Sequence, residues 1–254
     1  MTAHEEEHDR TGPDARRDEL AEALAEVRAR VADAARAADR DPAEVDLLAV
    51  TKTWPAADVA LLTDLGLTAF GENKEQEGAA KAAELATLRP DVPARWHVVG
   101  RLQRNKARSL ARWAHAVDSV DSARLVDALE SAVAKAVDTG ERTDPLAVLL
   151  QVSVDADPDR GGAPVDEVPA LADRVAGCAH LHLGGVMTVA PQGVAPEEAF
   201  ATVWEVAAGV RAAHPHATTL SAGMSGDLEA AVAHGSTVVR VGTALLGRRW
   251  LPSV

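Results

Sequence analysis

Apolar and polar residues alternate along this chain in blocks that predict short strands separated by helices. Apolar runs of strand length occur at 46–51, 67–70, 96–99, 115–117, 146–153, 181–188, 217–221 and 237–241. The segments between them are rich in Ala, Leu, Glu and Arg, and each is long enough for a helix. The fourth strand is ambiguous, because Trp113-Ala-His-Ala-Val117 is also compatible with the end of a helix.

The amino-terminal region divides into a polar leader and a helix. Residues 1–13 (MTAHEEEHDRTGP) are acidic and lack large apolar groups, which predicts a disordered leader, with 14–254 forming one folded domain. Leu20, Leu24, Val27 and Val31 recur at helical spacing. Arg40-Asp41-Pro42 ends that predicted helix before the first strand.

The spacing of the strands favours an α/β protein built as a single (β/α)8 TIM barrel. From Leu47 to Val238 the seven steps average about 27 residues, close to the unit size of an eightfold barrel. A doubly wound open sheet is the alternative. That fold usually carries a Gly-rich turn after its first strand, whereas this chain has Lys-Thr-Trp-Pro there. The barrel is therefore favoured.

Composition narrows the range of partners and compartments. The net charge of −13 disfavours nucleic-acid binding, although one short basic stretch contains Arg101, Arg104, Lys106, Arg108 and Arg112. The single cysteine, Cys178, excludes internal disulfides and fits a reducing compartment. The chain has no 18-residue apolar run and no signal-peptide core. We therefore expect a cytoplasmic protein with no membrane partner.

Two histidine pairs invite a metal interpretation and do not support it. His4-Glu-Glu-Glu-His8 matches a zinc motif in its letters, but no apolar residues flank it to form the buried helix that this motif needs. His180 and His182 share one face of a predicted strand, without a third ligand spaced near them. The sequence predicts no metal site.

Polar residues follow several predicted strands, where a barrel would bring them to one mouth. Lys52 ends the first apolar run, and Pro55 prevents that strand from continuing. An amine beside an apolar wall loses hydration, which favours its neutral, nucleophilic form. Such an amine can form a Schiff base with an aldehyde, which is how pyridoxal 5'-phosphate (PLP) is anchored. A solvated surface lysine is the ordinary alternative.

The last two strands are followed by loops that have the composition of a phosphate cradle. Gly223 and Gly226 flank Ser225 before one helical segment, and Gly242-Thr243 precedes another. Loops after the seventh and eighth strands of α/β barrels frequently bind phosphate. Ordinary helix caps and tight turns are the alternative.

Arg240 ends the eighth strand two residues before Gly242, so it can point into the barrel mouth. A cation beside a pyridine nitrogen disfavours protonation of that nitrogen and weakens the ring as an electron sink. We therefore expect carbanion chemistry on such a ring to be restrained. A salt bridge at the surface is the alternative role for this arginine.

Six ordered motifs within residues 15–249 resemble the YggS/PROSC family of PLP homeostasis proteins. The motifs are Ala49-Val-Thr-Lys-Thr-Trp-Pro55, Gly71-Glu-Asn73, Trp96-His-Val-Val-Gly100-Arg-Leu-Gln-Arg-Asn-Lys106, Gly185-Val-Met187, Leu220-Ser-Ala-Gly-Met-Ser225-Gly-Asp227 and Val239-Arg-Val-Gly-Thr243. The resemblance implies the barrel of the alanine racemases without their second domain. It also implies a PLP cofactor.

The same resemblance implies a role for each site residue. Lys52 would form the Schiff base, Arg240 would face the pyridine nitrogen, and the phosphate would be held by Ser225, Gly242 and Thr243. The pocket would be lined by Asn73, His97, Met187, Ser221 and Met224. His97 could equally be a core histidine. Lys74 and Arg160 depart from the residues that the family usually carries at the pocket rim.

Two functions stay open at this stage. One is a carrier or buffer of PLP, which would serve vitamin B6 homeostasis, supply apo PLP-dependent enzymes and affect amino-acid and keto-acid balance indirectly. The other is a racemase of the alanine type, which needs a second proton-transfer group opposite the lysine, a tyrosine in that family. This chain has no tyrosine and ends at Val254, so we expect no catalytic residues, although Cys178 or Asp227 could substitute. We expect a monomer, with a weak dimer as the alternative.

Overall fold

The computed structural model describes residues 13–155, 157, 161–191 and 193–248. Its strands are β1 Asp46–Val50, β2 Ala69–Glu72, β3 Arg95–Val98, β4 Ala116–Val120, β5 Leu146–Ser153, β6 Ala163–Pro164, β7 Leu181–Thr188, β8 Thr219–Ser221 and β9 Val238–Val241. All strand pairings among these residues are parallel, in the order β1-β2-β3-β4-β5-β7-β8-β9. The short β6 pairs with β5 beside the barrel.

Pairing between the first and last strands closes the sheet. Leu48 of β1 lies opposite Arg240 of β9, and Ala49 lies opposite Val241. An open sheet leaves its two edge strands unpaired, so this pairing excludes the doubly wound alternative. The predicted (β/α)8 barrel is confirmed.

Helices surround the barrel, as the apolar spacing predicts. They are α1 Pro13–Ala37, α2 Ala56–Asp64, α3 Glu75–Leu88, α4 Ala107–Leu110, α5 Ala123–Asp138, α6 Val168–Ala176, α7 Pro196–Ala213, α8 Leu228–Ala233 and α9 Thr243–Leu246. Short 3-10 turns occupy Pro42–Glu44, Arg104–Lys106 and Val165–Glu167. The four apolar residues that predicted α1 are buried. The predicted leader lies outside the described residues except for Pro13, where α1 begins.

The ambiguous fourth strand is a strand, and it is longer than predicted. The prediction covers 115–117, whereas β4 spans Ala116–Val120 and is buried throughout. Val117 and Val120 pack into the apolar layer between strands and helices. Asp118 also lies on this strand, and the polar pair Asp118-Ser119 obscures its apolar pattern. The second strand is displaced in the same direction, to 69–72 from the predicted 67–70.

The barrel interior is only partly filled by side chains. Small residues near the strand starts, Ala69, Ala116, Ala147 and Gly184, line a cavity of about 740 Å³. The cavity opens at the amino-terminal end, because Asp46, Arg95 and Val238 at the beginnings of their strands also line it. It therefore lies opposite the mouth where the polar strand ends gather. None of the helices in the described ranges has the length and apolar character needed to cross a bilayer.

Candidate functional site

Lys52 lies at the carboxyl end of the barrel, two residues after β1 ends at Val50. The last strand brings its following loop to the same place, since a Cβ on Gly242 would lie 3.1 Å from the carbonyl oxygen of Val50. A side chain at this position would crowd the Val50 carbonyl, so glycine suits the close approach. The Lys52 side chain is exposed and has no hydrogen bond or ion pair within the described part of the chain. This exposure differs from the apolar surroundings expected for the amine.

The neighbouring helix α3 holds the turn that carries Lys52 through hydrogen bonds to its backbone. The backbone amide of Trp54 donates to the carbonyl of Thr51 at 3.1 Å, and Thr53 adopts a positive φ of 68°. Glu77 accepts a hydrogen bond from the Thr53 amide at 2.5 Å. Buried Lys81 donates to the Thr51 carbonyl at 2.7 Å. Sequence reasoning missed these two groups, although Glu77 and Lys81 have the four-residue spacing of a helical ion pair.

The loops after β8 and β9 meet, as the cradle prediction requires. Ser225 accepts a hydrogen bond from the backbone amide of Ala244 at 3.3 Å, which joins the two loops. Gly223 has a φ of 88°, a conformation that favours glycine. The backbone N–H groups of Ser225 and Gly226 have no acceptor within the described residues. Thr243 is exposed at the start of α9, so this corner offers amide and hydroxyl donors to an anion.

Arg240 lies inside the barrel rather than at the surface. Its side chain is 4% exposed, and its guanidinium donates to the carbonyl and hydroxyl of Ser221 at 2.8 Å each. It also donates to the carbonyl of Thr188 at 2.7 Å. Burial lowers the pKa of Arg240, and the carboxylates of Asp118 and Asp227 partly oppose that shift. The ion pair at the surface is not its role.

The remaining predicted residues divide between the mouth and the interior. Asn73 follows β2 at the carboxyl end, and Met224 is exposed at the rim. Met187 is buried near the end of β7. His97 lies within the barrel, where its Nδ1 is 3.1 Å from Asp118, and it lines the cavity that opens at the opposite end. Its pocket role stays a prediction, and Asp118 is a partner that sequence reasoning missed.

Other sequence candidates lie away from this group of side chains. Cys178 lies between α6 and β7, at the amino-terminal end of the barrel, and burial raises the pKa of its thiol. His180 contacts Glu130 at 2.8 Å, whereas His182 lines the cavity. The described residues contain no group of three His, Cys, Asp or Glu side chains suited to a metal ion. Lys74 is exposed before α3, while Arg160, His4 and His8 lie outside the described residues.

The chain matches a family model and curated relatives over most of its length. A family model described as the alanine racemase N-terminal domain matches residues 23–249. The pyridoxal phosphate homeostasis protein of Mycobacterium tuberculosis is 51% identical over 251 residues, covering 94% of this chain and 96% of that protein. The chain belongs to the alanine racemase N-terminal domain family, among the pyridoxal phosphate homeostasis proteins.

Two solved structures resemble this chain, one in sequence and fold and the other in fold alone. PipY of Synechococcus elongatus PCC7942, solved with PLP bound, is 34% identical with a TM-score of 0.75, covering 90% of this chain and all 100% of that chain. The alanine racemase of Corynebacterium glutamicum is 16% identical with a TM-score of 0.64, covering 94% of this chain and 62% of that chain. The racemase is therefore similar in fold alone.

Proposed function

We propose that this protein binds PLP at the carboxyl end of the barrel and carries or buffers it in vitamin B6 homeostasis. The observation that carries this proposal is the closed β1–β9 pairing, which places the Lys52 turn beside the loops of Ser225 and Thr243. PipY, the 34% identical neighbour, was solved with PLP bound. Effects on amino-acid and keto-acid balance would then be indirect.

The residues at this mouth fit the cofactor. When bound, PLP supplies an aldehyde for a lysine, a phosphate anion and an electron-withdrawing pyridine ring. Lys52 would provide the amine, and its side chain makes no competing contact in the described residues. The unpaired amides of Ser225 and Gly226, with the Thr243 hydroxyl, would hold the phosphate. Gly242 keeps that corner free of a side chain against Val50.

Arg240 makes a carrier more suitable than an enzyme. Its guanidinium is fixed by Ser221 and Thr188, so this cation cannot move away from a ring nitrogen placed against it. A fixed cation disfavours a proton on that nitrogen, which restrains carbanion chemistry. The wall of the pocket would be completed by Asn73, Met187 and Met224. His97 would line the pocket from the barrel interior. The exposed Lys52 leaves the cofactor accessible for transfer, with apo PLP-dependent enzymes as the recipients. We further propose a cytoplasmic monomer.

Mapping the reduced cofactor tests this proposal. Borohydride treatment of the PLP-loaded protein, followed by peptide mass mapping, should place the pyridoxyl group on Lys52. Lys52→Ala should lose the visible absorption of bound PLP, whereas the neighbouring exposed lysine provides a matched control, since Lys74→Ala should retain it. Label on Lys74 or Lys106 in the parent protein would refute the assignment. So would a parent protein that acquires no visible absorption with PLP.

A further inference from the structure

Three charged side chains, two of them buried and one part-exposed, contact the turn that carries Lys52. Lys81 of α3 is 5% exposed, and its ammonium lies 2.5 Å from Glu72 and 3.3 Å from Glu77. Glu72 is fully buried at the end of β2, and its Oε2 atom has no hydrogen-bond partner among the described residues. Burial raises the pKa of Glu72, although Lys81 and Thr51 both donate to it. We call Glu72, Glu77 and Lys81 the charged triad.

The triad contacts the Lys52 turn on both sides of the lysine. On the preceding side, the Thr51 hydroxyl donates to Glu72 at 2.6 Å, and Lys81 donates to the Thr51 carbonyl. On the following side, the Thr53 amide donates to Glu77 at 2.5 Å. Both neighbours of Lys52 are thus hydrogen-bonded to α3, while Lys52 itself has no partner in the described part of the chain.

The conformation of the turn explains why such support is needed. Thr53 has a φ of 68°, which is strained for a β-branched residue and is usually adopted by glycine or asparagine. Strained backbone persists only where the surroundings hold it, and it is concentrated at functional sites. Glu77 holds the strained amide itself.

Stability does not account for the triad. Replacing a buried ion pair by well-packed hydrophobic residues of similar volume is often neutral or stabilising, because desolvation of both charges opposes their attraction. The unpartnered oxygen of Glu72 adds to that cost. A buried ion pair that adds little stability, next to a strained turn, indicates that the pair fixes the conformation of the turn.

We propose that Lys81, with Glu72 and Glu77, is a positioning group that fixes the Lys52 turn and thereby sets the geometry in which Lys52 takes up PLP. This inference rests on the proposed function of Lys52. The triad contacts neither the amine nor the phosphate loops in this structure. It acts through the carbonyl and hydroxyl of Thr51 and the backbone amide of Thr53.

The decisive variant removes the charges together. Lys81→Met with Glu72→Gln removes both fully buried charges, keeps an amide oxygen for the Thr51 hydroxyl and leaves only the part-exposed Glu77 carboxylate. We expect it to fold with an unfolding midpoint close to that of the parent, because the lost attraction and the lost desolvation cost of the pair largely cancel. We expect PLP affinity to fall at least tenfold and the visible circular dichroism of bound PLP to change. Lys135→Met, which removes an exposed lysine of α5, should change none of these quantities.

Glu77 provides the rescue by a conservative change. Glu77→Gln retains an oxygen for the Thr53 amide and should keep parental affinity and circular dichroism, whereas Glu77→Ala should lose both. Hydrogen exchange at the amides of Thr53 and Trp54, measured without PLP, should quicken in Glu77→Ala and in the double variant. This arm reports on the turn independently of any ligand.

The outcomes separate the two proposals. A parent protein that binds PLP, with a folded double variant that binds equally and shows parental circular dichroism, overturns the positioning role and leaves the proposed function intact. Unchanged exchange at Thr53 and Trp54 overturns it as well. A parent that takes up no PLP contradicts the proposed function and the inference that rests on it.

Discussion

At the scale of single residues, the site depends on side chains and amides that have no partner within the described chain. Lys52 is exposed without an ion pair, and the amides of Ser225 and Gly226 have no acceptor. Arg240 is the opposite case, because its guanidinium is buried and held by three hydrogen bonds to Ser221 and Thr188. A fixed cation, together with backbone amides that have no acceptor, suits the binding of an anionic, aromatic ligand more than its chemical conversion.

The phosphate corner gives a prediction at this scale. Ser225→Ala with Thr243→Val removes two hydroxyl groups from the cradle, and hydrogen bonds to charged groups contribute about 1.5–3 kcal/mol each. PLP affinity, measured by titration, should therefore fall more than tenfold. Pyridoxal, which lacks the phosphate, should be affected much less. Ser131→Ala with Thr202→Val, a pair far from the mouth, is the control, and equal losses for both ligands would refute the cradle.

At the scale of elements, α3 connects the Lys52 turn to the outer layer of the barrel. Its inner face carries Lys81 and Glu77 toward the turn. Its first turns also pack against Trp113, which meets Trp96 of β3 edge to face at 6.4 Å between ring centroids. Gly78 makes this packing possible, since a Cβ there would fall inside contact distance of the Trp113 ring.

Substitution of that glycine tests whether the packing fixes α3. Alanine usually stabilises a helix relative to glycine by about 1 kcal/mol, yet Gly78→Ala should destabilise the protein by about 1–3 kcal/mol through overpacking. Gly209→Ala in α7 is the matched control, because no described atom outside the adjoining backbone of its own helix lies within 4 Å of its Cβ position. That control should be neutral or stabilising. Denaturant unfolding measures both, and a stabilised Gly78→Ala would show that Trp113 does not restrict the helix.

At the scale of the whole molecule, α1 at the amino-terminal end of the described chain packs against β9 and α9 at its carboxyl-terminal end. Its buried Leu24 belongs to an apolar cluster that includes Val239 of β9 and Leu245 of α9. Arg16 donates to the carbonyl of Leu246, and Arg40 donates to those of Val232 and Ser236. Helix α1 therefore covers the β1–β9 seam on which the site depends.

Truncation of a buried α1 side chain tests this dependence. Leu24→Ala should lower the free energy of unfolding by about 2–5 kcal/mol, since it removes transfer energy and leaves a cavity. If the β9 amides exchange only when the whole barrel unfolds, the free energy of hydrogen exchange in β9 should fall by the same amount. Glu26→Ala, on the exposed face of the same helix, should stay within about 0.5 kcal/mol of the parent. If hydrogen exchange in β9 is unchanged in Leu24→Ala, then α1 does not cover the seam.

The absence of turnover is a second prediction for the whole molecule. Under the proposed function Arg240 would restrain carbanion chemistry, the chain has no tyrosine, and Cys178 lies at the far end of the barrel. PLP-loaded protein incubated with L-alanine should therefore yield no D-alanine or keto acid on chiral chromatography. Catalytic racemisation that disappears in Lys52→Ala would instead establish an enzyme.

The sequence by itself determined the strands of this protein and located Lys52 and the loops of Ser225 and Thr243 after the strand ends. These features are local, since apolar periodicity marks a strand and the residues after it mark a strand end. Even the displaced second and fourth strands overlap their predicted ranges, because only their boundaries depend on neighbouring strands. The six motifs of the resemblance likewise lie on contiguous segments.

Only the tertiary structure decided which side chains meet. The exposure of Lys52 and its support by Lys81 depend on how α3 packs against the end of β1. The burial of Arg240, and the pairing of His97 with Asp118, depend on register around a closed sheet. Such contacts join residues far apart in the chain, and their partners are set by packing geometry that no local pattern encodes.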